Sequence, residues 1–287
     1  MESIVKLKEF AKSNQAIERG IRKMLRPFFW LNMQGEYLNV WLRKASIIKT
    51  EDYLFLEGMK NSHPGERCFI VATGPSLTIG DLDMLADSGA YCFAMNSCVL
   101  ALDKTKWIPN MLGIQDEFVY SKVEEKLLEE SKGKLKNKVI ISNTISSIFP
   151  SSKRFHKFYL RYLDHKYDRL RTGKIKFTDQ CDLFVYDGYS IIFSLMQIAV
   201  YMGFKEIYLL GTDCNYKQEK QHFMETGHID PYAMNAGERL IYVHSKFKEF
   251  ADNHGVKVVN CTRGGMLEVY PRKTLEEVLS TINPRTS

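Results

Sequence analysis

From Cys68 onward, short apolar runs alternate with segments long enough for helices. That alternation constrains the fold more than any other feature of the chain. Six runs read as strands, at 68–72, 91–95, 107–114, 139–143, 206–210 and 256–260. Most are continuously apolar, as expected of strands buried on both faces. Between and after them, helix-forming patterns cover 79–88, 122–138, 191–202, 235–254 and 275–282. Strand and helix in alternation imply an α/β fold: a Rossmann-like, mostly parallel sheet flanked by helices.

In such a sheet, ligands bind beyond the carboxyl ends of the strands, so the residues just after each run are the candidates. The first run breaks at Thr73-Gly74-Pro75-Ser76, a turn leading into a helix. It reads either as a phosphate cradle, with backbone N–H groups and a helix dipole converging on an anion, or as an ordinary strand-to-helix turn. Asn96 follows the second run and can bond a base or ribose, or cap the next helix. Gln115 and Asp116 follow the third, and Asp116 can hold a ribose hydroxyl or a metal ion, or serve as an N-cap. Asp187-Gly188-Tyr189-Ser190 opens the long apolar helix and would set a second N-terminus at the cleft. Asp213, Asn215 and Tyr216 follow the fifth run. Residues 217–230 are polar and Gly-containing, a candidate lid carrying His222 and His228, and His222 can act as a base near neutral pH. Arg263, before two glycines, either reaches a phosphate or makes a turn.

Residues 1–62 read as a separate basic helical arm and 63–287 as the nucleotide-binding domain, with the lid as an insertion. Residues 1–49 carry ten Lys and Arg against four Glu, which accounts for the whole formal charge of +6. With Phe28, Phe29, Trp30, Tyr37 and Trp41, the arm can lie on an anionic membrane or pack on the core or a second subunit of a homo-oligomer. A mildly basic chain without a helix-turn-helix, zinc-finger or RNA-recognition signature is not expected to bind nucleic acid. Basic and aromatic residues interleave over 155–176, read as an insertion near the acceptor side. The six cysteines sit mostly in apolar runs without a C-x-x-C pair and read as reduced core residues of a cytosolic protein. Neither a signal peptide nor a membrane-spanning run is evident, so the expected location is cytoplasmic, with peripheral contact at the inner face of the membrane.

The Thr-Gly-Pro-Ser-Leu turn, Phe93-Ala94-Met95-Asn96, and Gly203-Phe204-Lys205-Glu206-Ile207-Tyr208-Leu209-Leu210-Gly211-Thr212-Asp213 together resemble the superfamily of small bacterial sialyltransferases, motility accessory factor proteins and hydroxymethylpterin diphosphokinase-like proteins. The resemblance covers about residues 66–280. It implies a glycosyltransferase moving a sugar, a nonulosonate among the candidates, from a nucleotide donor to a cell-envelope glycan or lipid-linked acceptor. Inversion with His222 as base is implied, with Tyr216 and the Gly74–Ser76 amides on the departing phosphate and Asp213 beside them. A cytidine monophosphate-linked donor and no required metal or other cofactor are implied, although Thr73 stands where the sialyltransferases carry Asn. Asn96 matches their second nucleotide-binding Asn. The diphosphokinase relatives imply the alternative of ATP with magnesium held by Asp116 and Asp213. A non-catalytic nucleotide-binding scaffold is the third reading.

Overall fold

A computed structural model describes residues 34–145, 149–161, 175–215, 223–224 and 236–281. The chain divides into two units, residues 1–49 and 50–287. In the first, residues 34–44 are helical and expose Tyr37, Leu38 and Trp41. The remainder of the arm lies outside the described residues. Residues 50–62 belong to the second unit. There helix α1 (Glu51–Gly58) is capped by the Thr50 hydroxyl and carries Glu51 and Asp52 in its first turn, where the dipole favours them.

Strands β1 (Arg67–Val71), β2 (Tyr91–Met95), β3 (Met111–Ile114), β4 (Val139–Ser142), β5 (His156–Phe158), β8 (Glu206–Leu210) and β9 (Lys257–Asn260) form one sheet in the order β5-β4-β3-β2-β1-β8-β9. Every pairing in it is parallel. The two short strands β6 (Leu160–Arg161) and β7 (Val185–Tyr186) pair separately. Helices α2 (Ile79–Ser88), α3 (Glu117–Glu130), α4 (Ile191–Tyr201), α5 (Ala236–Asn253) and α6 (Leu275–Ser280) complete the layers.

Alternation along the strands builds a core on each face. Cys68 and Ile70, Phe93 and Met95, and Ile207 and Leu209 point into one cluster, shared with α4 and α5. Phe69 and Val71, Cys92 and Ala94, and Tyr208 and Leu210 point into the other, shared with α2, α3 and α6. With both faces covered, a continuous apolar run is what a strand here must be. Helix α4 is apolar on nearly all sides and is buried along almost its whole length. All six cysteines are buried.

Successive strands run outward from β1 to β5. The chain then crosses back through α4 and adds β8 on the other side of β1. The direction of winding reverses between β1 and β8, the switch point at which open α/β sheets form their ligand crevice.

The basic and aromatic stretch needs correction. It contributes β5 to the sheet edge and β6 beyond it, with Phe158 and Leu160 buried. Lys157 donates its backbone N–H to Asp52 at 2.9 Å, and the His156 ring stacks on Phe55 at 3.8 Å. This half of the stretch is an edge strand under α1, and its polar side chains are what an exposed edge carries. Residues 162–174 lie outside the described part. The third strand, Met111–Ile114, is shorter than its apolar run, and Trp107 is buried ahead of it.

Candidate functional site

The cavity at the switch point has a volume of about 110 Å³. Thr73, Gly74 and Pro75 from the end of β1, Met95 and Asn96 from β2, Ser190 and Ile192 from α4, and Gly211 to Asn215 from β8 line it. Leu240 and His244 close it from one face of α5. Four separate segments that the sequence marked therefore meet at one place. Helix α4 presents its N-terminus there, with the Ser190 hydroxyl as cap. A larger, more open hollow of about 320 Å³ lies against Lys248, Asp252 and Lys257, before β9 and away from the strand ends that hold the candidates.

The Gly turn does something other than cradle a phosphate. The Gly74 N–H donates to the Gly211 carbonyl at 2.8 Å. The Ser76 hydroxyl donates to Asp213 Oδ2 at 2.8 Å, and the Ser76 amide also bonds this carboxylate. The chain's own carboxylate occupies the place assigned to a leaving phosphate. Burial pushes the Asp213 carboxyl above its ordinary range, opposed by the two Ser76 donors and by the charge of Arg272. Thr78 and Asp81 form a capping box at the start of α2. The Thr73 carbonyl accepts the Phe223 N–H at 2.7 Å.

The other candidates separate. Asn96 has φ 49° and its side chain caps nothing, so the capping alternative fails. Its Oδ1 is buried without a partner among the described residues. Asn215 lines the cavity. Asp116 does not line it; Oδ1 accepts from the Phe118 and Val119 amides and caps α3. Gln115 braces the interior instead, donating to Asp187 Oδ1 at 2.9 Å and accepting from the Ser194 hydroxyl at 2.6 Å. Gly188 makes room for Phe193, since a Cβ there would stand 2.5 Å from the Phe193 Cβ. Tyr189 holds φ 68°, a strained backbone for an aromatic residue, with its N–H on Asp187 Oδ1 at 3.0 Å and the Arg239 guanidinium 4.7 Å from its ring centroid. Arg263 is engaged elsewhere. It is paired with Asp81 at 2.5 Å and Glu276 at 2.7 Å. Tyr216 and His222 lie outside the described residues.

His244 is the residue the sequence reading passed over. It is fully buried, its ring 4.5 Å from that of Phe193. Burial pushes its pKa down from 6.5 to about 3, so the imidazole is neutral. Tyr270, whose phenol burial holds protonated, donates to the His244 carbonyl at 3.0 Å. With the phenolic proton on the carbonyl, the 3.1 Å contact between Nδ1 and the Tyr270 oxygen is donated by Nδ1–H. Nε2 is then a bare acceptor, buried and without a partner among the described residues, as is the Thr212 hydroxyl. The signal was present: one histidine on the apolar stripe of Leu240, Val243, Phe247 and Ala251.

Among the described residues, no group of three or more His, Cys, Asp and Glu side chains is placed to hold a metal ion, and no helix is long and apolar enough to cross a membrane. No curated protein matches the chain. Among solved structures, the Maf glycosyltransferase of Magnetospirillum magneticum AMB-1 is similar at 15% identity and TM-score 0.48, over 76% of this chain and 35% of that one, so this chain spans about a third of its length. The sialyltransferase CstII of Campylobacter jejuni, solved in complex with a substrate analogue, cytidine-5'-monophosphate, is similar at 13% identity and TM-score 0.42, over 73% of this chain and 85% of that one. Residues 42–219, more than half of the chain, match the model of one family, and the chain belongs to it: the 6-hydroxymethylpterin diphosphokinase MptE-like family.

Proposed function

We propose that the chain is a nucleotide-dependent transferase that moves a sugar from a nucleotide donor to a hydroxyl acceptor. The observation that carries this reading is the cavity at the β1/β8 switch point. There Asn96 and Thr212 present polar atoms without partners among the described residues, and α4 turns its N-terminus inward. A donor phosphate would sit toward Ser190 and the Tyr189–Arg239 rim, not at Gly74, where Asp213 fills the position. His222 would take the acceptor proton and Tyr216 would steady the leaving phosphate. Phe223, the residue after His222 in sequence, is tied to Thr73 on the cavity wall.

Diphosphoryl transfer from ATP is the second reading, favoured by the family's description. It needs acidic groups for magnesium, and only Asp213 of the two candidates lines the cavity.

Thermal melting with cytidine monophosphate, uridine diphosphate or ATP, each with and without magnesium, tests both. Ligand at 100 times its dissociation constant should stabilise the fold by about 2.7 kcal/mol. Stabilisation by a pyrimidine nucleotide without magnesium is expected, and Asn96→Ala should weaken it. His222→Ala should keep the stabilisation and lower turnover by about a hundredfold or more. Magnesium-dependent stabilisation by ATP alone would replace the first reading with the second. A melting temperature that no nucleotide moves would count against both readings, and nucleotide stabilisation without turnover would leave the scaffold reading.

We also propose that Tyr37, Leu38 and Trp41 of the arm meet an anionic membrane bearing a lipid-linked acceptor. Co-sedimentation of the full chain with phosphatidylglycerol vesicles should fall several-fold in Tyr37→Glu/Trp41→Glu. Unchanged sedimentation would remove the membrane role.

A further inference from the structure

The cavity wall is rich in acceptors. His244 and Asn96 line it, with Nε2 and Oδ1 buried and without partners among the described residues, and Asp213 lines it too. The Thr212 hydroxyl can accept as well as donate. Each unpaired group is destabilising while buried, and the cavity leaves them unpaired together. A phosphate brings only acceptors and negative charge. Away from the α4 N-terminus at Ser190 it would meet lone pairs and a carboxylate, with no cation among the lining residues. A neutral group carrying O–H or N–H satisfies the same atoms.

We propose that this wall binds the uncharged, donor-bearing end of the ligand, a hydroxylated sugar or an amino-bearing ring, with His244 Nε2 as the acceptor that selects it. The phosphate of the same ligand stays at the Ser190 side of the cavity, on the N-terminus of α4. Tyr270 sets the selectivity from behind. By accepting from Nδ1–H it favours this tautomer, and a proton moved to Nε2 would require the phenol to turn its own proton from the His244 carbonyl to Nδ1. The proposal rests on the reading that this cavity holds the transferase's ligand, and it adds which end enters and what recognises it.

Nitrogen NMR of the full chain, labelled at histidine, tests the first half without any ligand. The His244 signal should be that of an Nδ1–H tautomer, absent in His244→Gln. A protonated Nε2 would overturn the proposal whether or not nucleotides bind. Cytidine, uridine, N-acetylglucosamine and N-acetylmannosamine, all uncharged and free of phosphate, are then titrated, with pyrophosphate as the anion probe. At least one of the four should shift Nε2, and pyrophosphate should not. The nucleosides and the sugars are the two arms that distinguish a base from a sugar as the inward end.

His244→Phe keeps the ring volume but removes the acceptor, and should weaken the responding compound about tenfold or more. His244→Gln, which can offer an amide oxygen near the same place, should restore most of the loss. Thr212→Val, close in shape and lacking the hydroxyl, is the second variant should the histidine variants fail to fold, and should weaken binding several-fold. A shift caused by pyrophosphate, no shift with any of the four neutral compounds, or equal affinity in His244→Phe and Thr212→Val would each overturn the proposal. A melting temperature unmoved by nucleotides, with Nε2 still shifted by a neutral compound, would instead overturn the donor reading and leave this one standing.

Discussion

Alanine at position 74 is expected to lower stability by about 3 kcal/mol or more, a large share of the 5–15 kcal/mol typical of a folded domain. The position needs space rather than unusual dihedrals, since Gly74 is not among the residues with positive φ. A Cβ there would overlap the Asp213 carboxylate and the Gly211 carbonyl, and would stand 2.9 Å from Asp213 Cγ. The backbone is held on both sides: Gly74 N–H bonds Gly211, and its carbonyl accepts from Leu77 N–H at 3.2 Å. Relief must therefore come from parting β1 from β8 or from expelling the Asp213 side chain. Expulsion strands the Ser76 amide and hydroxyl, a further cost of about 1–3 kcal/mol. At 2–4 °C per kcal/mol for a domain of this size, Gly74→Ala should melt roughly 10 °C below the native protein. Asp213→Ala removes one of the two obstructions, so the double variant should lose less than the two single losses combined. A Gly74→Ala protein melting within two degrees of native would show that the β1/β8 crossing yields easily.

The same glycine shows where sequence reading works in this chain and where it stops. The central strands were legible because a parallel strand covered on both faces must be apolar throughout; 91–95 and 206–210 coincide with β2 and β8. Strands β5, β6 and β7 were not, because edges of two or three residues need no such run. Thr73, Asn96, Ser190, Asp213 and Asn215 were recoverable because the ends of parallel strands, and the helix starts that face them, converge whatever their side chains. Their pairings were not recoverable. Asp213 satisfies Ser76 from 137 positions away, and nothing local distinguishes a glycine that admits a carboxylate from one that admits a phosphate. Arg263 likewise looked free beside two glycines, and its partners Asp81 and Glu276 come from two other helices. His244 went unseen for the opposite reason. Its apolar surroundings, which make it chemically distinctive, make it look like ordinary core.

That burial gives a pH signature with a definite sign. In the unfolded chain His244 binds a proton near pH 6.5, whereas in the folded protein it does so only near pH 3. Between those values the unfolded state holds the extra proton, so stability rises with pH across the window. The stabilisation relative to the unfolded chain is complete above about pH 6.5 and falls by about 1.4 kcal/mol for each unit below it. Over the whole window the loss is roughly 5 kcal/mol. Tyr270 contacts the ring, and Asp213 and Cys214 line the same cavity as His244. Tyr270 and Cys214 are pushed upward by burial and stay neutral in this range. Asp213 is raised too, and its contribution has the opposite sense: full below its unfolded pKa and lost as pH rises through the folded value. It is present with or without the histidine, so the difference between native protein and His244→Gln isolates His244. Urea unfolding at pH 7.5, 6, 5 and 4.5 should show the native protein losing stability faster than the variant at each step down. Parallel curves would mean that the imidazole protonates in the folded state, and Nε2 would then be a donor facing the cavity instead of the acceptor that the Tyr270 bond requires.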